Sequence, residues 1–414
     1  MATYYVATAG DDDHVGTSEG TAWQTLGKVS SEFNAGTFVP NDSILLNRGD
    51  VFPDYLRLRG CSGTVGNPIK IGTYGSGGIP ILDRHLQLNL GPIWRDDADA
   101  RADYIRFDDI DFYGVKSGCA IKAHVLTEWE FYNCRIHGVR RADDGSGWGG
   151  GLQLQLGDIL LDTCEIYDIG GEGIYVGTGS VQPVAATLTM RDCYIHDCFG
   201  EGMDMKNDSR DCVIERCTFE RNAIIPTGEL PALYDDRQIS AGGQGHQFID
   251  CVVKSDEASG PRGAGKNAYG IALGAYAWAD PTSGLNILWK NCSISSQSAA
   301  AAIILSGGGN RISSCTFTDC LVGVKAFWHA NGVHIVEDSV FNATPTQFDL
   351  SGIDPSKIII TSSPPVPSPT KVVTTKIGTL PPIGRAHPRR SSRSAGAIGL
   401  PGQVGIRPGR RGRR

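Results

Sequence analysis

Nine short segments of the chain share one frame, and that recurrence restricts the available folds more than any other feature. They are "FDDIDF" (107–112), "FYNCRI" (131–136), "LDTCEI" (161–166), "MRDCYI" (190–195), "IERCTF" (214–219), "FIDCVV" (248–253), "WKNCSI" (289–294), "ISSCTF" (312–317) and "VEDSVF" (336–341). Each opens on an apolar residue, passes two mostly polar ones and a small or apolar one, and closes on an apolar residue after one free position. At spacings of 23 to 41 residues, no single unit can bury its apolar face. The pattern therefore predicts an all-β solenoid in which neighbouring coils complete one another's core, the shortest spacings matching one coil of a parallel β-helix.

Seven of the 12 cysteines (Cys134, Cys164, Cys193, Cys217, Cys251, Cys292 and Cys315) fall in one column of this frame, which Ile110 and Ser339 complete. A free thiol packs as a small hydrophobe, and coils stack about 4.8 Å apart, so the column predicts an interior ladder rather than disulfides or a metal site.

A second apolar segment follows a glycine between most copies: "GCAIKAH", "GLQLQ", "GEGIYVG" (171–177), "GEGMDMK" (200–206), "YGIALGA" and "VGVKAFW". Alternation sends Ile174 and Val176, or Met203 and Met205, inward. The outward column then reads Lys122, Gln153, Tyr175, Asp204, Ala272 and Lys325, beside a second one of His124, Gln155, Gly177, Lys206, Gly274 and Phe327. Inward positions are committed to the fold, so chemistry can occupy only these outward ones. A further column, His137, Tyr167, His196 and Glu220, lies just past the cysteines at the bend after the first strand.

The ends read differently. Residues 1–36 predict a strand, a polar loop and a short amphipathic helix with Trp23, Leu26 and Val29 on one side, which would cover the open end of a solenoid spanning 37–361. Residues 362–414 begin with the proline-rich "SSPPVPSPTK" and contain no acid but Lys371, Lys376 and nine arginines. They predict a disordered basic tail able to hold nucleic acid or an anionic surface nonspecifically. The formal charge is -7. With +11 in the tail, the rest of the chain carries about -18, which disfavours specific nucleic-acid binding by the solenoid. No apolar run is long enough to span a membrane, and the N-terminus lacks the basic-then-apolar pattern of a secretory signal.

Together, "YYVATAGDDDHVGT", "AWQTLGKV", "RGDVF", "GNPIKIGTYG" and the repeating coils resemble right-handed parallel β-helix proteins of the pectate-lyase-like superfamily, over about residues 3 to 345. The pair "GEGIYVG" and "GEGMDMKNDSRDCVIERCTF" is similar to the alginate-lyase and chondroitinase-B family, and "MDMK" looks like the Asp-x-Lys pieces of calcium-dependent pectate lyases. That resemblance implies calcium held by acidic residues on successive coils and a nearby lysine acting as base. The family's Asn-Lys-Ser and Arg-His-Gly pieces are not present as such. Nor is the polygalacturonase set, for which "GQGH" (243–246) is a poor substitute.

The expected function is cleavage of an acidic, uronate-containing polysaccharide by β-elimination, in an extracellular or virion-associated setting. Elimination needs the uronate carboxylate neutralised, a base for the neighbouring C–H and a donor for the leaving oxygen. Glu172, Glu201 and Asp204 are the candidate calcium ligands, although both glutamates also suit the capping of their own turns. Lys206 is the candidate base, with Asp204, His196 and Tyr175 as further catalytic candidates. Lys122, His124, Gln153, Gln155, Trp148 and Arg237 are candidate substrate contacts. Two alternatives remain open: a glycoside hydrolase pairing Asp204 with Asp235 or Asp236, and a tailspike-type solenoid that grips a polysaccharide without cutting it.

Overall fold

The computed structural model describes residues 1–84, 93–94, 102–115, 118–140, 149–178, 185–222, 237–255, 269–273, 283–296, 301–305, 307–326, 332–351 and 353–361. Residues 362–414, where the sequence predicts a basic disordered tail, lie outside them. Among the described residues every pairing between named strands is parallel, in one sheet of 22 strands and one of 11. The larger sheet is two ladders fused where strands Gly118–Tyr132 and Gly149–Asp162 run unbroken through both. Each full coil thus has three short strands joined by bends.

Physical reasons for the bends lie in single residues. The residue before each position of the cysteine column has φ between 49° and 59°: Asp109, Asn133, Thr163, Asp192, Arg216, Asp250, Asn291, Ser314 and Asp338. Asn and Asp tolerate this left-handed conformation best among residues with a Cβ, and they fill most of these places. The bend ends one strand and turns the next thiol inward. All seven column cysteines are buried and none is in a disulfide. Their backbones form a continuous chain of hydrogen bonds to the following coil, for instance Glu165 N to Cys134 O at 3.0 Å and Tyr194 N to Cys164 O at 2.9 Å.

Large apolar residues flank this ladder on its inner side. Phe107 stacks on Phe131 (4.7 Å between centroids), Phe248 on Trp289 (4.0 Å) and Phe317 on Phe341 (4.7 Å). Burying each such ring contributes about 1.5–3 kcal/mol. At the N-terminal end, strand Thr3–Val6 pairs with Ser43–Asn47, so it joins the large sheet directly. Helix Leu26–Ala35 is capped by Thr25, whose side chain accepts from Lys28 N, and buries Leu26, Val29 and Phe33 in the same core. Trp23 precedes the helix rather than lying on it. It bridges to Val6 and stacks on Tyr4 at 5.0 Å. No helix among the described residues is long and apolar enough to cross a membrane.

Candidate active site

The outward column expected from the sequence exists. Register pairs Lys122 with Gln153, Gln153 with Tyr175 and Tyr175 with Asp204. It then continues through Ser240, Ala272 and Ile304 to Lys325. Ser240 and Ile304 escaped the sequence reading because long inserts separate them from the glycine-marked frames.

Adjacent coils place the two Gly-Glu-Gly frames in register, since Gly173 N donates to Glu201 O at 2.9 Å and Ile174 N to Gly202 O at 3.1 Å. Glycine at 173 is required by close approach: a Cβ there would stand 2.7 Å from Gly202 O and 2.9 Å from Cys198 Sγ. The glutamates between the glycines converge with Asp204, and one carboxylate oxygen from each of Glu172, Glu201 and Asp204 lies within 4.8 Å of the other two. Lys206 pairs with Asp204 and sits 4.8 Å from the centroid of the Tyr175 ring. Four of the predicted residues, together with Tyr175, therefore form one cluster.

These side chains lie on the outward column and its flanks yet are covered. Glu172, Glu201, Asp204 and Lys206 are only 7, 5, 4 and 8% exposed. Burial, followed by the negative charge of Asp204, pushes the Glu172 carboxyl up to about 7, and Lys206 partly offsets this. Its Oε2 is buried with no hydrogen-bond partner. A buried acceptor turned into a group of carboxylates suits either a proton or a hard cation. Calcium takes oxygen ligands at about 2.3–2.6 Å, so two ligands across one ion are about 5 Å apart. Glu172, Glu201 and Asp204 fit that requirement.

His196 is not part of this cluster. It belongs to strand Tyr194–Cys198 of the 11-stranded sheet, beyond a bend from Asp204. There it stacks on Tyr167 at 5.2 Å, and its Nδ1 meets Asp197 at 2.6 Å and its Nε2 Glu165 at 3.3 Å. The column His137, Tyr167, His196 and Glu220 is in register as expected. Its contacts form a stacked aromatic and charged face of its own, with Arg221 donating to Asp197 at 2.8 Å. His246 of "GQGH" is fully buried and anchors backbone, accepting from Cys212 N at 3.2 Å.

Lys122, Gln153 and Gln155 line the coils N-terminal to the cluster and are half-buried. Trp148, Asp235 and Asp236, and the side chains of His124 and Arg237, lie outside the described residues. Sequence reasoning missed Asp208, which is 2% exposed and accepts from Thr178 N at 2.8 Å and Thr178 Oγ1 at 2.7 Å. It ties the loop after Lys206 to the preceding coil. Ser209 closes the loop on itself, donating from Oγ to Lys206 O at 2.6 Å. The run "KNDSRD" carried the signal, as a cluster of turn-forming polar residues directly after the strand.

Residues 96–273 match a family model described as a right handed beta helix region. The chain is a right-handed parallel β-helix. Among solved structures with this β-helix, a GH136 lacto-N-biosidase from Eubacterium ramulus has 15% identity and a TM-score of 0.53, over 87% of this chain and 68% of that one. Pectate lyase Pel9A has 14% identity and a TM-score of 0.53, over 86% and 79%. An alginate lyase from Paenibacillus sp. str. FPU-7 has 16% identity and a TM-score of 0.50, over 82% and 96%. At such identities the likeness is one of fold, which hosts several chemistries. A lacto-N-biosidase of Bifidobacterium longum subsp. longum is 42% identical over 84 residues, a stretch covering 19% of this chain and 5% of that protein's length.

Proposed function

We propose that this β-helix is a polysaccharide-degrading enzyme that cleaves glycosidic bonds at the Glu172–Glu201–Asp204 cluster by carboxyl chemistry. The observation that carries this reading is the pairing of unlike carboxyls: Glu172 is buried and holds its proton to about pH 7, while Asp204 faces the ammonium of Lys206. Two carboxyl groups in contrasting environments divide the roles of acid and anion. Glu172 protonates the leaving oxygen while Asp204 attacks the sugar carbon; water then displaces Asp204, giving its proton to the Glu172 carboxylate. The carboxylate oxygens lie within 4.8 Å of one another, nearer the ~5–5.5 Å of retaining glycosidases than the ~6.5–9.5 Å of inverting ones. The short match to a glycosidase supports hydrolysis.

A second reading, lyase action on a uronate polymer, is favoured by one observation: the cluster also has the ligand set for calcium, beside a lysine. A bound cation would neutralise the substrate carboxylate. Lys206 would then take the proton, but its ammonium is already engaged by Asp204. Hydrolysis is therefore the leading reading.

Purified protein incubated with neutral and acidic polysaccharides, with calcium or chelator, separates the two. Reducing ends without ultraviolet-absorbing unsaturated uronates mean hydrolysis, and a calcium-dependent rise in both means elimination. Asp204→Asn is expected to lower either activity at least about 10²-fold. Undiminished cleavage by a folded Asp204→Asn protein would remove the cluster from the chemistry.

A further inference from the structure

Between the capping helix and residues 54–59 lies a cleft of about 530 Å³, lined by Ser30, Ser31, Asp54, Tyr55, Arg57 and Arg59 among others. The sequence "YLRLRG" builds its floor by alternation: Leu56 and Leu58 are buried in the core, which turns Arg57 and Arg59 out into the cleft. The helix forms the opposite wall, and Ser30 Oγ accepts from Arg57 N at 2.9 Å, fixing that strand against it. Asp54 is the single acid among the lining residues against two arginines. Arg84 lies 5.4 Å from the Tyr55 ring and adds a third guanidinium at the edge.

This cleft is connected to the candidate active site by strand register. Arg57 pairs with Trp94, the Trp94 position pairs with Lys122, and Lys122 leads through Gln153 and Tyr175 to Asp204. Five rung steps separate Arg57 from Asp204, about 24 Å at the spacing of parallel strands. Two cations of this column, Arg57 and Lys122, lie on the N-terminal side of the acidic cluster. In the other direction Ser240, Ala272 and Ile304 are uncharged, and Lys325 beyond them is paired with Asp349 at 2.9 Å.

We infer that the cleft is a remote subsite for an anionic sugar unit, and that an acidic polysaccharide lies along the column with one end in the arginine cleft and the bond to be cut at Asp204. Guanidinium groups pair with carboxylate or sulfate in fixed forks, whereas a neutral sugar gains little from two of them. This inference takes the location of the cleavage site from the function proposed above and adds the substrate's charge and direction.

The test uses the full chain carrying Asp204→Asn, which holds substrate without cutting it, and oligogalacturonates of increasing length as probes in calorimetry. Affinity is expected to rise in a step once the oligosaccharide is long enough to reach the cleft, and Arg57→Ala with Arg59→Ala is expected to remove that step, about tenfold or more. Neutral oligosaccharides of equal length should show no step. Sodium sulfate should compete with long oligosaccharides, whereas a subsite that needs the sugar itself resists sulfate and yields to free galacturonate. Equal length dependence with and without the arginines overturns the inference. If the double variant does not fold, Arg59→Gln alone and the salt dependence of the step decide it, and a step insensitive to salt overturns it. Cleavage by the parent protein is scored separately: loss of cleavage in Asp204→Asn with no arginine-dependent step refutes the subsite alone, while cleavage unaffected by Asp204→Asn refutes the proposed site and leaves the binding result to judge the cleft.

Discussion

Asp208 occupies the space that a side chain at Gly177 would need. A Cβ at 177 would stand 2.3 Å from Asp208 Oδ1 and 3.1 Å from Lys206 Cβ, and the residue has φ of 97°. The second coil of the site can fold against the first only if the first has glycine there. Gly177→Ala is therefore expected to cost about 2 kcal/mol or more in stability. It should also reduce cleavage beyond what the loss of folded protein explains, because Lys206 must shift. Denaturant melts and activity per folded molecule check both parts.

Glu172 gives the protein a pH-dependent stability of predictable sign. Its carboxyl has an ordinary value of 4.5 and is pushed up to about 7 in the fold, so between these pH values the folded chain holds a proton that the unfolded chain releases. Stability from this group is intact below pH 4.5 and falls as pH rises to 7, by on the order of 3 kcal/mol. Glu172→Gln should flatten that decline in chelator. In calcium the parent should gain most stability above pH 7, where the carboxylate is free of its proton. An unchanged pH profile in Glu172→Gln would contradict the assignment.

The same residue sets the expected pH dependence of catalysis. A general acid works while protonated, so cleavage should decline as pH rises through about 7. Glu172→Gln should remove that limb together with most of the activity. A rate that instead climbs through this range would favour a base, and with it elimination.

The thiols should be silent until the chain unfolds. All 12 cysteines are free and buried, and burial pushes Cys119 and Cys212 up to about 12. A thiol reagent at neutral pH is expected to label none in the native protein and 12 after denaturation. Rapid labelling of the native protein would mean that the ladder opens locally.

His334 is a built-in weak point at low pH. It is fully buried, and neither ring nitrogen has a hydrogen-bond partner. Burial lowers it from 6.5 to about 4. The unfolded chain takes up that proton first, so stability falls as pH drops from 6.5 toward 4. His334→Leu should raise stability by about 1–3 kcal/mol, more at pH 4.5 than at pH 7.5. A drop in its melting temperature at both pH values would count against this.

Much of the solenoid was legible in the sequence because its period acts on residue types directly. Cys164, Cys193 and Cys217 share a column since each must fill the same interior slot, and Gln153, Tyr175 and Asp204 share one because alternation leaves them outside. Two features were hidden. His196 and Asp204 are eight residues apart, yet a bend intervenes, and alternation restarts at each bend, so spacing alone cannot tell which face a side chain joins. Burial of Asp204 was hidden as well. Outward position is a property of its own strand, whereas burial depends on which groups converge on it, here Lys206, Glu201 and, from the preceding coil, Glu172.

Register along the outward column gives the molecule a length scale. Each coil adds one rung without changing what lies at either end, so the solenoid between Arg57 and Asp204 works as a ruler marked in steps of about 4.8 Å. Duplicating or excising one coil would move the arginine cleft one step from the carboxyls and leave both intact. The size of the fragment released would then be fixed by a count of coils, and gene duplication could reset it without altering a residue of either site.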